Sequence, residues 1–524
     1  MNDNQLVLTV YSSGTTTARD PALFLRRAEQ LRFSTIYPGG AFGTLECFIA
    51  CDPAGVFPFS AGQRIVARNS LAVCWEGMIV SLQRIIGARL GVKIVGVGYW
   101  GQLLERKSWE KRWADNRLDE ETWPYTAGAS GAAKCTTDRS NRMRFTPKGV
   151  AWATNNFASQ IYTMPTGETV KRVTLSYDLQ EAAQAWKLAL NNLATFADIW
   201  AVTASGTGTR DDTLGTPAQA VEIYFQAAAN QTPVEDGTYY GQISGVMVYS
   251  ETGTITAQSV AKNIRAKLAE LNSDETRIGA PGVTLEPFMT NGRESMASIL
   301  MRAASYGDGS YNSWAPYLVE SDLATTPDGK PVLALTQYPA LTSYDYAVRL
   351  DDPNLTGELT VVYDLESVRN WITVSYRDEL NNRDVILTPD DDANLKDATS
   401  ITAYGQRETP QPLDAGTTSA ASAKNLARRY LAAYKTPRFY VSVPITVKGY
   451  IRGPKGKRVP ASQIRAGMRI KIENYLTDLA SVSGAGLTFI ITQTEYDDDA
   501  QTCSISTGVP DDLAVFLAQL SFRT

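Results

Sequence analysis

Histidine is missing altogether from the 524 residues of this chain. Its absence excludes Ser–His–Asp and Cys–His hydrolysis, imidazole-ligated zinc and any histidine general base. Acid–base chemistry here would fall to carboxylates, Lys, Tyr or Cys. Cysteine is scarce too: Cys47, Cys51, Cys74, Cys135 and Cys503 are an odd five with no C-x-x-C pair. Cys47 and Cys51 share a face of an alternating strand with Leu45 and Ile49, which fits small buried hydrophobes better than a disulfide framework or a metal site. No apolar run reaches the roughly 18–20 residues of a membrane span; Arg84 and Arg89 interrupt the best stretch, Val80 to Trp100. The opening Met1-Asn2-Asp3-Asn4-Gln5 carries no Lys or Arg, which argues against a secretory leader. A soluble protein made in the cytoplasm is expected. Basic blocks are lacking as well: 50 Lys and Arg stand against 55 Asp and Glu, a net charge of −5. The footprint of a sequence-specific nucleic-acid binder is therefore missing, although the wall of a conduit through which nucleic acid slides can be neutral or acidic.

What is present is ordinary globular material: 44% hydrophobic residues, 20% charged residues, 25 Tyr and 10 Trp. The length suffices for three or four domains with several buried cores.

Residues 6–105 read as strand-rich, with alternation at Leu6–Tyr11, Leu31–Tyr37, Thr44–Cys51, Arg64–Asn69, Leu71–Val80 and Val92–Val97. Asp20-Pro21 looks like the N-cap and first position of a short helix ending near Leu31. Residues 102–140, dotted with Trp109, Trp113 and Trp123, predict a helix followed by a loop. Between 144 and 252, strands at Thr169–Leu179, Ala185–Asn191, Asp198–Ala204, Ala220–Ala227 and Gly245–Ser250 suggest a β-sandwich of jelly-roll or carbohydrate-binding-module type. Gly206-Thr207-Gly208-Thr209 reads as a link between two of them. One helix carries Val260, Ile264, Leu268 and Leu271 on one face; another spans Arg293–Tyr306 with Gly307 placed to cap it. Strands at Val332–Gln337, Leu359–Asp364 and Trp371–Arg377 indicate a small mixed α/β region.

Candidate sites are few, and each has a plainer reading. Gly96-Val97-Gly98-Tyr99-Trp100-Gly101 matches G-x-G-x-x-G, but the parallel strand that should follow before Asp115 or Asp119 is absent. Asp390-Asp391-Asp392 and Asp497-Asp498-Asp499 are carboxylate clusters in turn contexts, where successive residues point apart instead of converging on a cation. No carboxylate pair stands out for glycoside hydrolysis, whose chemistry depends on separation in space. Trp186, Trp200, Tyr224, Tyr239 and Tyr240 suit either a sugar-stacking platform or a sandwich core. The loop from Lys448 to Arg458, with Arg452, Lys455 and Lys457, suits phosphate contact, an acidic neighbour or plain exposure. No catalytic, cofactor-binding or metal-binding residue is assigned, and no cofactor is expected.

The C-terminal part is the most legible. Ala403-Tyr404-Gly405-Gln406-Arg407 reads as a polar strand. A helix follows with Ala423, Ala427, Tyr430, Leu431 and Tyr434 on one face, ended by Pro437. Then come an alternating strand Phe439–Val447, the basic loop, a turn at Ala466-Gly467 feeding Met468–Ile472, and a hairpin of Leu487–Tyr496 with Thr502–Thr507. The turn-strand echoes one near the start: Ala61-Gly62-Gln63-Arg64-Ile65-Val66-Ala67 against Ala466-Gly467-Met468-Arg469-Ile470-Lys471-Ile472. In both, Gly provides a bend before an alternating strand, as in an internal duplication.

This C-terminal pattern resembles the end of the hub region of bacteriophage tail-tip and baseplate hub proteins, and the early strands with Ala61–Ile65 and Trp75-Glu76-Gly77 resemble its first barrel. The resemblance covers residues 1–105 and 350–524. It implies a mainly β, β-rich α+β chain: a first hub β-barrel with an extension (1–140), an inserted β-sandwich (141–252), helices with a small mixed α/β domain (253–350), and a second hub β-barrel with a helix (351–524). It further implies a non-enzymatic virion protein of the tail tip. Such a protein forms a homotrimer whose six similar barrels adapt a sixfold tail tube to a threefold tip. Its partners would be the tail tube or distal tail protein, the tape measure protein and tail fibre or spike proteins, with DNA passing without sequence-specific binding and host glycan as a possible ligand of the sandwich. Alternatives are a hexameric distal-tail protein and a tail protein that binds or degrades host surface glycans.

Overall fold

A computed structural model describes residues 6–11, 22–26, 28–40, 42–50, 60–69, 72–86, 90–116, 126–127, 133–138, 142–147, 157–180, 186–227, 240–285, 287–378, 383–473 and 487–508. The chain is mainly β, with four α-helices among the described residues.

The largest sheet takes its strands from both ends of the sequence. Seven come from the first hundred residues: Leu6–Tyr11, Ala22–Arg26, Glu29–Ile36, Thr44–Ala50, Arg64–Asn69, Ala72–Ile85 and Gly91–Val97. The rest begin at Tyr346–Arg349 and end at Thr502–Gly508. The two strand sets line one apolar core, in which Leu8, Phe33, Leu45 and Ile65 from the first pack with Ile445, Ile470, Ile472 and Ile505 from the second. Asp20 and Pro21 lie outside the described residues, but the helix expected after them is two strands. Ala22–Arg26 and Leu6–Tyr11 pair antiparallel, so a neighbouring strand supplies hydrogen bonds that a helix would supply internally.

Between the two sets lies a sandwich. Its smaller sheet orders Thr126–Ala127, Phe157–Thr163, Ala220–Ala227, Trp186–Asn192 and Ala197–Val202; its larger sheet is built around Val170–Gln180 and Tyr240–Tyr249. The glycine link at Gly206 is in fact the start of a long strand, Gly206–Ala218, paired antiparallel with Val170–Gln180 and shifted in register only near Val170. Its alternate residues are mostly exposed, as suits a polar strand at a sheet edge. The helix expected after residue 102 is a single π turn, Trp100–Leu104, followed by the strand Ser108–Asn116. That strand pairs with both Tyr240–Tyr249 and Phe288–Ser295, tying the sandwich to the chain on either side of it.

Two small α/β units complete the fold. In one, helices Ala257–Lys267 and Met296–Ser305 bury Val260, Ile264, Ile299 and Leu300 with Leu318, Leu333 and Leu335 of the hairpin Trp314–Val319/Val332–Gln337. Residues 293–295, expected in the second helix, belong to the preceding strand; Ser295 caps the helix instead, and Gly307 ends it at φ +65°. In the other, helix Ala420–Tyr434 lays Ala423, Leu426, Ala427, Tyr430 and Leu431 on a sheet that includes Val374–Asp378 and Leu413–Thr417. The polar strand expected at 403–407 is the end of a short helix, Ala398–Tyr404, because Asp397 caps its first turn and Gly405 closes it at φ +75°.

Candidate functional site

The echo seen in the sequence is a repeat in space. Gly62 and Gly467 hold left-handed backbone at φ +88° and +85°. The Gly62 N–H donates to the Ile79 carbonyl (2.8 Å) and the Ile79 N–H to the Gln63 carbonyl (2.9 Å). In the second copy the Gly467 N–H donates to the Ile491 carbonyl (2.7 Å) and the Ile491 N–H to the Met468 carbonyl (2.8 Å). Equivalent pairs then run on: Arg64 faces Met78 as Arg469 faces Ile490. On the next strand Ile79 faces Gly96 as Ile491 faces Thr507. Both copies carry a β-bulge one step further, between Ile79 and Ser81 and between Ile491 and Gln493, and then resume the same register down to Ile85–Gly91 and Asp497–Thr502.

A fourth strand matches as well. Cys47 pairs with Ile94, and Ile49 with Val92, as Ile445 pairs with Ile505 and Val447 with Cys503. Each copy is thus four strands in one spatial and chain order: Thr44–Ala50, Arg64–Asn69, Ala72–Ile85 and Gly91–Val97 against Ile445–Lys448, Arg469–Glu473, Leu487–Asp497 and Thr502–Gly508. A bulge is seldom placed by chance, because it sets the twist and aim of its strand. Side chains within this common frame have been exchanged. In the first copy Trp75 fills the space that Gly77 and Gly96 leave open, where an added Cβ would come within 2.5 and 2.9 Å of its ring; in the second the equivalents are Leu487, Phe489 and Thr507.

The copies meet at one seam. Arg32–Ile36 pairs antiparallel with Gln493–Asp497, the free margin of the bulged strand in the second copy. The Thr35 and Thr494 hydroxyls stand 2.5 Å apart, fully buried, and the Ala466 N–H donates to Thr35 Oγ1 at 2.8 Å. The Phe33 and Tyr496 rings lie 5.1 Å apart, and Arg32 reaches Asp497 at 2.8 Å. Asn69 donates to Ser462 at 2.9 Å, and Arg465 binds Glu320 at 2.9 Å and the Val73 carbonyl, so the seam also grips the middle of the chain. Nearby, Arg64 Nε donates to the fully buried Glu76 at 2.8 Å, joined by the Tyr99 hydroxyl at 3.1 Å. Burial pushes the Glu76 carboxyl up, and the Arg64 guanidinium opposes it.

The other candidates take structural places. Gly96 and Gly98 lie where protein packs close: a Cβ on Gly98 would meet the Phe42 carbonyl oxygen, and the strand before it is antiparallel on both sides, so no dinucleotide cradle forms. Asp391 accepts from the N–H and hydroxyl of Thr388, while Asp392 caps Asn394 and binds Arg428 at 2.6 Å. Asp497 accepts from the N–H groups of Asp499 and Ala500, and Asp498 from the Tyr496 hydroxyl. No three metal-ligating side chains converge among the described residues. Trp186 is buried and stacked on Phe225 at 4.7 Å; Trp200 and Tyr224 are buried too, and Tyr240 lies under Arg144 at 3.6 Å. Tyr239 falls outside the described residues. The basic loop is an exposed hairpin, with Arg452 on Asp352 at 3.3 Å and Arg458 over the Tyr450 ring. Burial pushes the thiols of Cys47 and Cys74 up to about 12 and about 11, and that of Cys503 higher still, which makes all three inert.

A further cleft of about 520 Å³ separates Phe288–Ser295 from Leu413–Thr417, lined by Glu110, Arg302, Tyr306 and Asp414. Arg302 is engaged there by Glu294 (3.1 Å), the Met289 carbonyl (2.7 Å) and the Phe288 ring.

No family model matches the sequence, and no curated protein matches it. Among solved structures, the chain is similar to the tail protein from Neisseria meningitidis MC58 at 10% identity and a TM-score of 0.44, over 96% of each chain. It is similar to the 43 kDa tail protein of prophage MuSo2 from Shewanella oneidensis at 9% identity and a TM-score of 0.42, over 97% of this chain and 99% of that one. It is also similar to the prophage tail protein gp18 from Listeria monocytogenes EGD-e at 9% identity and a TM-score of 0.41, over 99% of this chain and 98% of that one.

Proposed function

We propose that this chain is a structural protein of a phage tail, assembled as a trimeric hub ring at the tail tip without catalysis of its own. The supporting observation is the in-chain repeat: one polypeptide presents two copies of a four-strand unit, joined in one sheet with their register and bulge preserved. Duplication of this kind has a mechanical use. Three chains offer six similar surfaces to a sixfold tube above, while the non-repeated parts follow threefold symmetry below. A net charge of −5 suits a channel that passes DNA without holding it. The sandwich and the two small α/β units, outside the repeat, are the parts left to anchor neighbouring tip proteins.

The test is the solution mass of the purified chain by light scattering across a range of concentrations. Three times the 57.2 kDa chain mass is expected. A stable hexamer would move the reading to a distal-tail ring, and release of reducing sugar from host polysaccharide would overturn the non-catalytic reading.

A further inference from the structure

The cleft of about 520 Å³ opens where the two small α/β units meet, with Phe288–Ser295 on one wall and Leu413–Thr417 on the other. Its lining is both apolar and charged. Phe288, Tyr306 and Leu426 are buried side chains that give it apolar surface. Arg302 already has its partners, and Arg112 is engaged as well. Glu110 and Asp414 differ from them: both are exposed, and neither pairs with a cation among the described residues. The Asp414 carboxylate accepts from the N–H of Gly416 at 2.8 Å. A space of this size between two units, apolar inside and with a carboxylate on each wall, suits a cation carried on an apolar stem.

Such a cation stands elsewhere on the same chain. The basic hairpin runs from Tyr450–Arg452 through a tip at 454–457 to Arg458–Pro460. At its base Arg452 is held by Asp352, and Arg458 lies over the Tyr450 ring. Lys455 and Lys457 are exposed at the tip and make no ion pair among the described residues. Hydrogen bonds set the tip in advance. The Gly453 N–H donates to the Lys457 carbonyl at 2.6 Å, and the Gly456 N–H to the Gly453 carbonyl at 3.2 Å. Lys455 itself holds left-handed backbone at φ +57°. A turn shaped beforehand loses little freedom when it docks. No residue of the hairpin lines the cleft of its own chain.

We infer that Lys455 enters this cleft on a second copy of the chain, its ammonium between Glu110 and Asp414 and its methylene stem against the apolar lining. The two surfaces complement each other in charge, and one polypeptide carries both, so every copy supplies the cation and the acceptor. Lys457, one turn residue away, adds to the attraction. The contact is head-to-tail, hairpin to cleft, and its repetition from chain to chain can close a ring. The inference rests on the oligomeric reading above and names two of the surfaces that meet.

A carbodiimide tests it, because it joins an amine to a carboxylate only where the two touch. After treatment of the full-length protein, the two-chain band of a denaturing gel should yield peptides joining Lys455 or Lys457 to Glu110 or Asp414. The one-chain band should not. Lys455→Glu should weaken association by about tenfold or more, and so should Asp414→Lys, because each brings like charges together. The double variant exchanges the two charges, keeps the net charge and should recover most of the loss. Melting curves of all three should stay close to the parent's, since both side chains are exposed. Parent oligomers whose two-chain band lacks the link would overturn this contact and leave the oligomeric reading standing. So would association indifferent to Lys455→Glu, or the link recovered from the one-chain band. A parent monomeric at every concentration, with no two-chain band, would sink both.

Discussion

The hydroxyls of Thr35 and Thr494 meet at 2.5 Å in a fully buried position, across 459 residues of sequence. Around that contact the two ends of the chain become one sheet, and the Ala466 N–H just before the repeated turn also donates to Thr35.

Replacing Thr35 by Val keeps the shape but strands the Ala466 N–H and the Thr494 hydroxyl. The cost should be about 1–3 kcal/mol, that of buried polar groups left unpaired. In a double-mutant cycle with Thr494→Val, urea unfolding should show a coupling of roughly 0.5–3 kcal/mol. A coupling of zero would mean the hydroxyls do not support each other.

The two repeated glycines should respond unequally to Ala. Gly62 has positive φ but open space where a Cβ would go, so strain alone sets its cost, about 1 kcal/mol. At Gly467 the Cβ would also stand 2.8 Å from the Tyr37 ring. Gly467→Ala should therefore cost about 2–3 kcal/mol. Thermal melts of the two variants give the order, and a reversed order would remove the steric part of the explanation.

Asp392 carries a pH dependence. Burial pulls its carboxyl up, but the N–H and amide of Asn394 and the Arg428 guanidinium outweigh burial and hold it at about 2. A depressed carboxyl stabilises the fold above its unfolded value, near 4, and loses that contribution as pH falls toward 2. Asp392→Asn should cost about 2 kcal/mol at neutral pH, because Arg428 loses its charged partner. It should also flatten the fall in stability between pH 4 and pH 2; an unchanged acid limb in a pH series of melts would count against this.

Trp186 tests the sandwich. Its buried ring is stacked on Phe225 with 12° between the planes. Trp186→Ala should destabilise by about 3–5 kcal/mol through the cavity it leaves, whereas Trp186→Phe should recover most of that. Near-ultraviolet circular dichroism and unfolding of the full chain distinguish them.

Part of this was written in the sequence. Alternation marked most strands of both ends, and the helical spacing of Ala423, Ala427, Tyr430 and Leu431 placed the helix that packs on its sheet. Ala-Gly-x-Arg-Ile betrayed the repeat, because a left-handed bend and a core Ile leave few substitutes. The rest of the repeat stayed hidden because register is kept by backbone hydrogen bonds, which any residue but Pro can donate. Trp75 with Gly77 and Gly96 fills the volume that Leu487, Phe489 and Thr507 fill in the other copy, so packing is conserved where identity is not. Gly206–Ala218 looked like a link for a related reason: an edge strand can be mostly polar if its neighbour supplies the ladder, and only Leu214 and Ala218 of this one reach the core.

Composition and alternation alone specify a β-rich chain without histidine chemistry, carrying a short motif twice. That the two copies share a core, and that Arg32–Ile36 of one closes the bulged strand of the other, became visible only in three dimensions. Side-chain periodicity is local, whereas strand pairing is a choice among distant partners made by register, burial and bulge together.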